Sequence, residues 1–322
     1  MDKESYVNDA VSEEMKNMPE AKIEAFASIK QQRFVCMIPS FQSQDYWETV
    51  NQGFDQAKTD FAHYNIVIDK MYFDQYDVNS FLEISEKVLS NKPDAVIIAP
   101  IFKEETFLFL AELSKKNIPF SFIDSIIPTT DFTTYYGQNS FQSGYIAAKL
   151  LLNLMPEKSQ IMVIRTKRKG SEANQIITRH EGFMQFVKDN KLANFIEFID
   201  VEFIENDEDY NFRLLEKTFA TYTNIKAAIT FNSKVYRLAI HLASFNRKSI
   251  RIIGYDLLPL NLRYLKQGVI HCLIAQRPDK QAYLSVRDIC RNLILKRKTN
   301  KLNYIPIDIL FKENIEDYIN FS

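Results

Sequence analysis

The stretch Ser249-Ile-Arg-Ile-Ile-Gly-Tyr-Asp256 decides how the chain is read. Its apolar run, 250–253, is closed by Gly254 and carries an acid, Asp256, just past its end. A short continuous apolar run of this kind reads as a strand covered on both faces. In open α/β sheets the ligand crevice lies beyond the carboxyl ends of the strands. Asp256 is therefore either an acceptor for a polar ligand or a cap for the helix that starts near Pro259.

The same alternation runs outward from this stretch. Strand signals at 34–39, 65–71, 95–99, 120–123 and 133–136 alternate with helical periodicity over 46–61, 78–90, 104–116 and 141–154. The series then restarts. Strands at 161–164, 195–203, 227–231, 250–253 and 271–275 alternate with helices over 174–189, 210–222, 235–245, 260–266 and 280–295. One last strand is read over 305–311, and a polar, helix-prone arm over 1–32. The pattern predicts an α/β fold with two doubly wound parallel sheets, joined by right-handed crossovers.

Composition removes several function classes. A net charge of −1 gives no global attraction to nucleic acid or to a polyanion. The 7 glycines form neither GxGxxG nor GxxxxGK[ST], so no phosphate loop is expected. The 3 cysteines, Cys36, Cys272 and Cys290, are too few and too scattered for a disulfide framework or a zinc site. They are expected to pack as small apolar residues in a reducing compartment. No cofactor is expected. The start, Met1-Asp-Lys-Glu-Ser, lacks the basic and apolar regions of an export signal, and no apolar run is long enough to span a membrane. A cytoplasmic location follows as an expectation. His63, His180, His241 and His271 show no ligand spacing and there is no GxSxG elbow, so no catalytic machinery is read.

The predicted strand ends carry a different chemistry. After the first strand comes Ser40-Phe-Gln-Ser-Gln-Asp-Tyr-Trp47, which places Ser40, Phe41, Tyr46 and Trp47 beside a crevice. Aromatic faces there suit the C–H face of a sugar, while Tyr46 and Trp47 serve equally well as core anchors for the first helix. Asp124, Asn139, Arg179, Asn232, Asp256 and Gln276 occupy further strand ends or helix starts. Each has a structural reading as a cap, a turn residue or a surface ion pair. Together they offer a guanidinium, carboxylates and amides to one polyol. The run Lys167-Arg-Lys169 is either a solvated loop or an anion contact, which keeps a sugar phosphate open as the ligand.

Five segments in order resemble the effector-binding core of the lactose-repressor (LacI-type) family. They are Asn139-Ser-Phe-Gln-Ser-Gly144, Arg179-His-Glu-Gly-Phe183, Phe231-Asn232, Gly254-Tyr-Asp256 and Gln276-Arg-Pro278. The first has Asn139 where the family pattern has an acid. The resemblance covers about 33–311 and implies a type I periplasmic-binding-protein fold. It implies an N-terminal lobe of 33–156 plus 277–300, a C-terminal lobe of 157–276 plus 303–322, and three hinge crossovers. It places Arg179, Asn232, Asp256 and Gln276 on one side of a sugar and Asn139 with the 40–47 loop on the other.

The family's helix-turn-helix signature does not occur in this sequence, so 1–32 is expected to be a hinge remnant. Operator DNA would be reached only through a headpiece outside it. The functional expectation is a homodimeric, non-enzymatic sensor whose sugar or sugar-phosphate ligand closes the lobes. A sugar-binding protein of a transport system is the alternative on the same fold.

Overall fold

The computed structural model describes residues 30–129, 131–153, 159–167, 173–247 and 249–321. The arm read over 1–32 falls outside these up to residue 29, and the first strand already opens at Gln32.

Two six-stranded sheets carry the fold. The first contains β1 (Gln32–Pro39), β2 (Ile66–Phe73), β3 (Ala95–Ile98), β4 (Phe120–Ile123), β5 (Tyr135–Gln138) and β11 (Leu302–Ile305), in the spatial order β11-β5-β4-β3-β1-β2. The second contains β6 (Ser159–Lys167), β7 (Ile196–Ile204), β8 (Ile225–Thr230), β9 (Arg251–Tyr255), β10 (Cys272–Ala275) and β12 (Asp308–Leu310). Its order, β12-β10-β9-β8-β6-β7, repeats the first. All pairings are parallel except β10 with β12.

Helices α1 (Tyr46–Asp60), α2 (Val78–Ser90), α3 (Lys103–Lys115) and α9 (Pro278–Leu293) cover the first sheet. The second is covered by α4 (Ser140–Leu152), α5 (Asn174–Asp189), α6 (Glu208–Thr221), α7 (Tyr236–Ser244), α8 (Pro259–Lys266) and α10 (Ile315–Phe321). Central strands have no solvent face, which is why they read as unbroken apolar runs. Phe34 through Ile38 are fully buried, and so are Ala95 through Ile98. Cys36, Cys272 and Cys290 are buried among the apolar residues of these cores.

Two boundaries differ from the sequence reading. The first crossover comes directly after β5, at Asn139, rather than near 156. Helix α4 packs Ala147, Ala148 and Leu151 into the second lobe, against Ile161, Val163, Phe183 and Tyr255. The expected last strand over 305–311 is two strands in two sheets. Pro306 has no N–H to donate to a ladder, so pairing stops there and the chain changes lobe. Residues 303–305 therefore belong to the first sheet.

The crossovers at 138–140, 275–278 and 305–308 are tied together by one buried side chain. Gln138 Nε2 donates to the carbonyl of Ala275 at 2.9 Å and to that of Pro306 at 3.3 Å. Glycine fixes α4 on α5 in a reciprocal way. A Cβ on Gly144 would sit 1.9 Å from the Arg179 carbonyl oxygen, and one on Gly182 would sit 1.9 Å from that of Phe141. Both glycines lie in the segments that carried the resemblance. Their physical role is to let these two backbones touch, which sets the depth of the Arg179 side chain.

Candidate functional site

The carboxyl ends of the two sheets face each other, and matched strands end on matched residues. Asp124 follows β4 and Asp256 follows β9, each in the left-handed region at φ 68°. Aspartate tolerates that conformation better than most residues, because its short side chain bonds locally. Both carboxylates are buried.

On the first lobe, Tyr46 Oη donates to Asp124 Oδ1 at 2.8 Å. Tyr46 opens α1 directly after its cap, Asp45, whose side chain accepts from the Tyr46 N–H. Burial, and then the Asp124 carboxylate, push the phenol's pKa well above the ordinary range, so Tyr46 remains a donor. Gln281 of α9 holds the acid from behind: its Oε1 accepts from the Asp124 N–H at 2.9 Å, and its Nε2 donates to the Gln276 carbonyl at 2.8 Å.

On the second lobe, Arg179 is 1% exposed although it carries a full charge. Its Nη1 donates to the Phe231 carbonyl at 2.8 Å and its Nη2 to Gln276 Oε1 at 2.6 Å. The guanidinium lies 3.9 Å from the centroid of the Tyr255 ring, a stacked cation–π geometry. Gln276 Nε2 in turn donates to Asp256 Oδ1 at 2.8 Å. Burial pushes Asp256 up to about 7, against the pull of Arg179 and of the Gln276 bond. Asp256 does not cap α8, whose N-cap is Leu258 with no side-chain bond. Buried Arg179 Nε has no hydrogen-bond partner among the described residues.

Further contacts cross the cleft. Gln175 Nε2 donates to Asp124 Oδ1 of the other lobe at 3.0 Å, and within its own lobe to Gln276 Oε1 at 2.8 Å. Asn174 Nδ2 donates to the Ile126 carbonyl at 2.8 Å. Lys234 Nζ reaches Tyr76 Oη at 3.4 Å while pairing with Glu205. Burial raises the Glu205 pKa, but Lys234 and Arg237 outweigh it and hold the carboxyl below the usual range. With these contacts made, the cavity enclosed by these residues is about 70 Å³. That is far below the roughly 300–1,000 Å³ of ordinary ligand pockets.

Of the residues expected at the site, Tyr46, Trp47, Asp124, Arg179, Asn232, Asp256 and Gln276 line this cavity. Trp47 borders the cavity and anchors the first core: it is 5% exposed and meets the Tyr46 ring edge-on at 5.0 Å. Asn232 accepts from the Lys234 N–H at 2.9 Å and donates to Thr166 Oγ1 at 3.2 Å.

Three expected residues do not line it. Asn139 is the cap of α4, and its side chain accepts from the Gln142 N–H at 3.0 Å. Ser40 is exposed, and its N–H extends the β1–β2 ladder to the Phe73 carbonyl. Phe41 turns away onto Tyr72, 5.5 Å between ring centroids. The Lys167–Lys169 run lies outside the described residues apart from the backbone of Lys167.

The sequence reading missed Gln175, Tyr76 and Lys234. Gln175 had a signal, standing one helical turn before Arg179 and so on the same face of α5. Among the described residues no group of three or more His, Cys, Asp or Glu side chains could hold a metal ion. The arrangement offers buried acceptors and amide donors to a neutral polar molecule, with aromatic walls.

Residues 34–296 match the family model for the periplasmic binding protein domain. A candidate LacI transcriptional regulator from Bacteroides fragilis superposes with a TM-score of 0.85 at 35% identity, over 90% of this chain and 100% of that one. A solute binding protein from Burkholderia graminis, solved in complex with D-arabinose, has a TM-score of 0.78 at 18% identity, over 90% and 99% of the two chains. The ribose import binding protein of Haemophilus influenzae is 19% identical over 283 residues, which is 88% of this chain and 92% of the relative. The chain belongs to the periplasmic binding protein domain family and has its type I, two-lobe α/β fold. Such proteins bind or regulate rather than catalyse.

Proposed function

We propose that this chain is the ligand-sensing unit of a LacI-type transcription regulator, binding a sugar or sugar derivative between its lobes. The observation that carries this reading is the bonded set Arg179–Gln276–Asp256, facing Asp124 and Tyr46 across a closed cleft. These are acceptors and donors for a polyol, and both lobes supply them, so the ligand's affinity depends on how the lobes are placed. A ligand shifts an equilibrium only by its differential affinity for the two arrangements. Here the differential is the exchange of Gln175 for ligand hydroxyls on Asp124 and Gln276. The likeness to the Bacteroides fragilis protein supports the regulator. In this reading the chain works in the cytoplasm as a homodimer, and operator DNA is met through a separate headpiece.

The second reading is a transport-type sugar-binding protein, favoured by the likeness to the ribose import and arabinose-bound proteins. The test is a thermal-shift screen against sugars and sugar phosphates. A true ligand at about a hundred times its dissociation constant adds roughly 2.7 kcal/mol of stability. Arg179→Ala is expected to abolish the shift; if every hit survives it, the inter-lobe site is wrong. Analytical ultracentrifugation with the hit then separates the readings: a ligand-dependent dimer supports the regulator, and a monomer in both states supports transport.

A further inference from the structure

A second, larger cavity lies on the hinge side of the cleft, about 910 Å³ in volume. It shares a wall with the ligand cleft, since Asp45, Tyr46, Asp256 and Gln276 line both spaces. Beyond that wall its lining comes from both lobes and from two of the three crossovers. Its surface is mainly apolar, with Leu257 and Leu258 from the second lobe facing Leu284 and Tyr304 from the first. Helix α9 turns one stripe toward it, Lys280, Leu284 and Arg287, spaced one helical turn apart.

The charges around this chamber choose its ligand. Arg277 is committed to Asp308 at 2.7 Å, and Arg287 to Asp288 and Tyr136 Oη, each at 3.0 Å. Lys280 has no ion pair or side-chain hydrogen bond among the described residues. Asp45, Glu48, Asp256 and Asp279 also border the space, so a polyanion such as a nucleotide would be repelled. A flat apolar body with a single anionic group fits both the walls and the one uncommitted cation. The volume is within the roughly 300–1,000 Å³ of small-molecule sites.

We propose that this hinge chamber is a second ligand site, taking an amphipathic aromatic monoanion and acting on lobe closure. It goes beyond the cleft reading and does not depend on it. An occupant touches both lobes and the crossovers, so any difference in chamber shape between open and closed lobes becomes a difference in its affinity. By linkage, the cleft ligand then changes the chamber's affinity by the same factor.

The test is a fluorescence titration of the full chain with anilinonaphthalene sulfonate, a planar aromatic monoanion. Saturable binding of one dye per chain is expected. Leu284→Glu, which puts a charge in the apolar wall, should weaken it by about tenfold or more. Lys280→Glu reverses the one uncommitted cation on a solvent-facing helix and should weaken it several-fold without touching the core. Far-UV circular dichroism checks that both variants fold. Unsaturable binding, or wild-type affinity in both variants, overturns the chamber. Sugar binding is followed separately by calorimetry, where Arg179→Ala should remove the sugar and leave the dye. The two sites can therefore fail independently.

Discussion

The two lobes share one strand order, and β4 and β9 each end on an aspartate at φ 68°, yet the two carboxylates live differently. Asp124 accepts a phenol from its own lobe and an amide from the other. Asp256 accepts one amide, and burial lifts it to about 7. The first acid is already satisfied by protein donors from both lobes, whereas the second sits in a low-dielectric position with spare acceptor capacity. Symmetry of fold thus places two like groups face to face, and the side chains around them divide the labour. Asp124 accepts a bond from the opposite lobe, whereas the described bond to Asp256 comes from Gln276 of its own lobe.

The strongest way to break this asymmetry is to remove the cation behind Asp256. Arg179→Ala deletes two hydrogen bonds and a stacked charge from a site with 1% exposure. We expect a loss of about 3–5 kcal/mol, the usual cost of unpairing a buried charge network, read by urea unfolding. A loss under about 1 kcal/mol would mean that Gln276 and Asp256 hold their places without it. Next in size is Gly182→Val, whose Cβ would collide with the Phe141 carbonyl. Overpacking of this kind costs about 1–3 kcal/mol, and the same unfolding experiment measures it. It should also loosen Arg179 and weaken the ligand.

The paired substitutions Asp124→Asn and Asp256→Asn sharpen the comparison directly. The ordinary pKa of Asp256 is 3.8 and its folded value is about 7, so between these values the folded protein binds more protons than the unfolded chain. Stability is greatest below the lower value and falls as pH rises through the higher one. Asp256→Asn is therefore expected to raise stability at pH 8 by about 2 kcal/mol, with the gain vanishing near pH 4. Asp124→Asn should instead lower it by about 1–2 kcal/mol at pH 8, because it weakens charge-assisted bonds from Tyr46 and Gln175. Melting curves at the two pH values decide. If both variants move in the same direction at pH 8, the two acids are equivalent after all.

The smallest expected effect is that of Gln175→Ala. It removes the amide that donates across the cleft to Asp124 and within its own lobe to Gln276, on the order of 1 kcal/mol in all. Small-angle scattering should report a larger mean radius of gyration, with little change in the melting temperature. An unchanged radius would show that Asn174 and Lys234 suffice to hold the closed form.

Much of this was legible in the sequence, because a strand buried on both faces leaves an unbroken apolar run and a strand end is where the chemistry gathers. Arg179, Asp256 and Gln276 were readable from that rule. Other positions were not. The apolar face of α4, with Ala147, Ala148 and Leu151, suits either sheet, and periodicity does not say which one it covers. Asn139 was ambiguous for a similar reason: a residue that caps a helix beside a crevice looks like one that faces it. Ser40 and Phe41 follow a strand end but leave the crevice, since β2 offers them a ladder bond and a ring. Pro306 marked a break that the single strand read over 305–311 passed over, and the spacing of Gln175 from Arg179 was a signal left unused. Lys234 had no local signal, because its partners Tyr76 and Glu205 are distant in sequence.

Gln138 has a mechanical consequence. Three separate strands between two bodies would permit bending, twisting and sliding. A single amide that grips two of the crossovers from within the third ties the three together, so that one cannot shift far without the others. On the two-site proposal, a cleft ligand and a chamber ligand would both act through these crossovers, so their effects would add or oppose rather than remain independent.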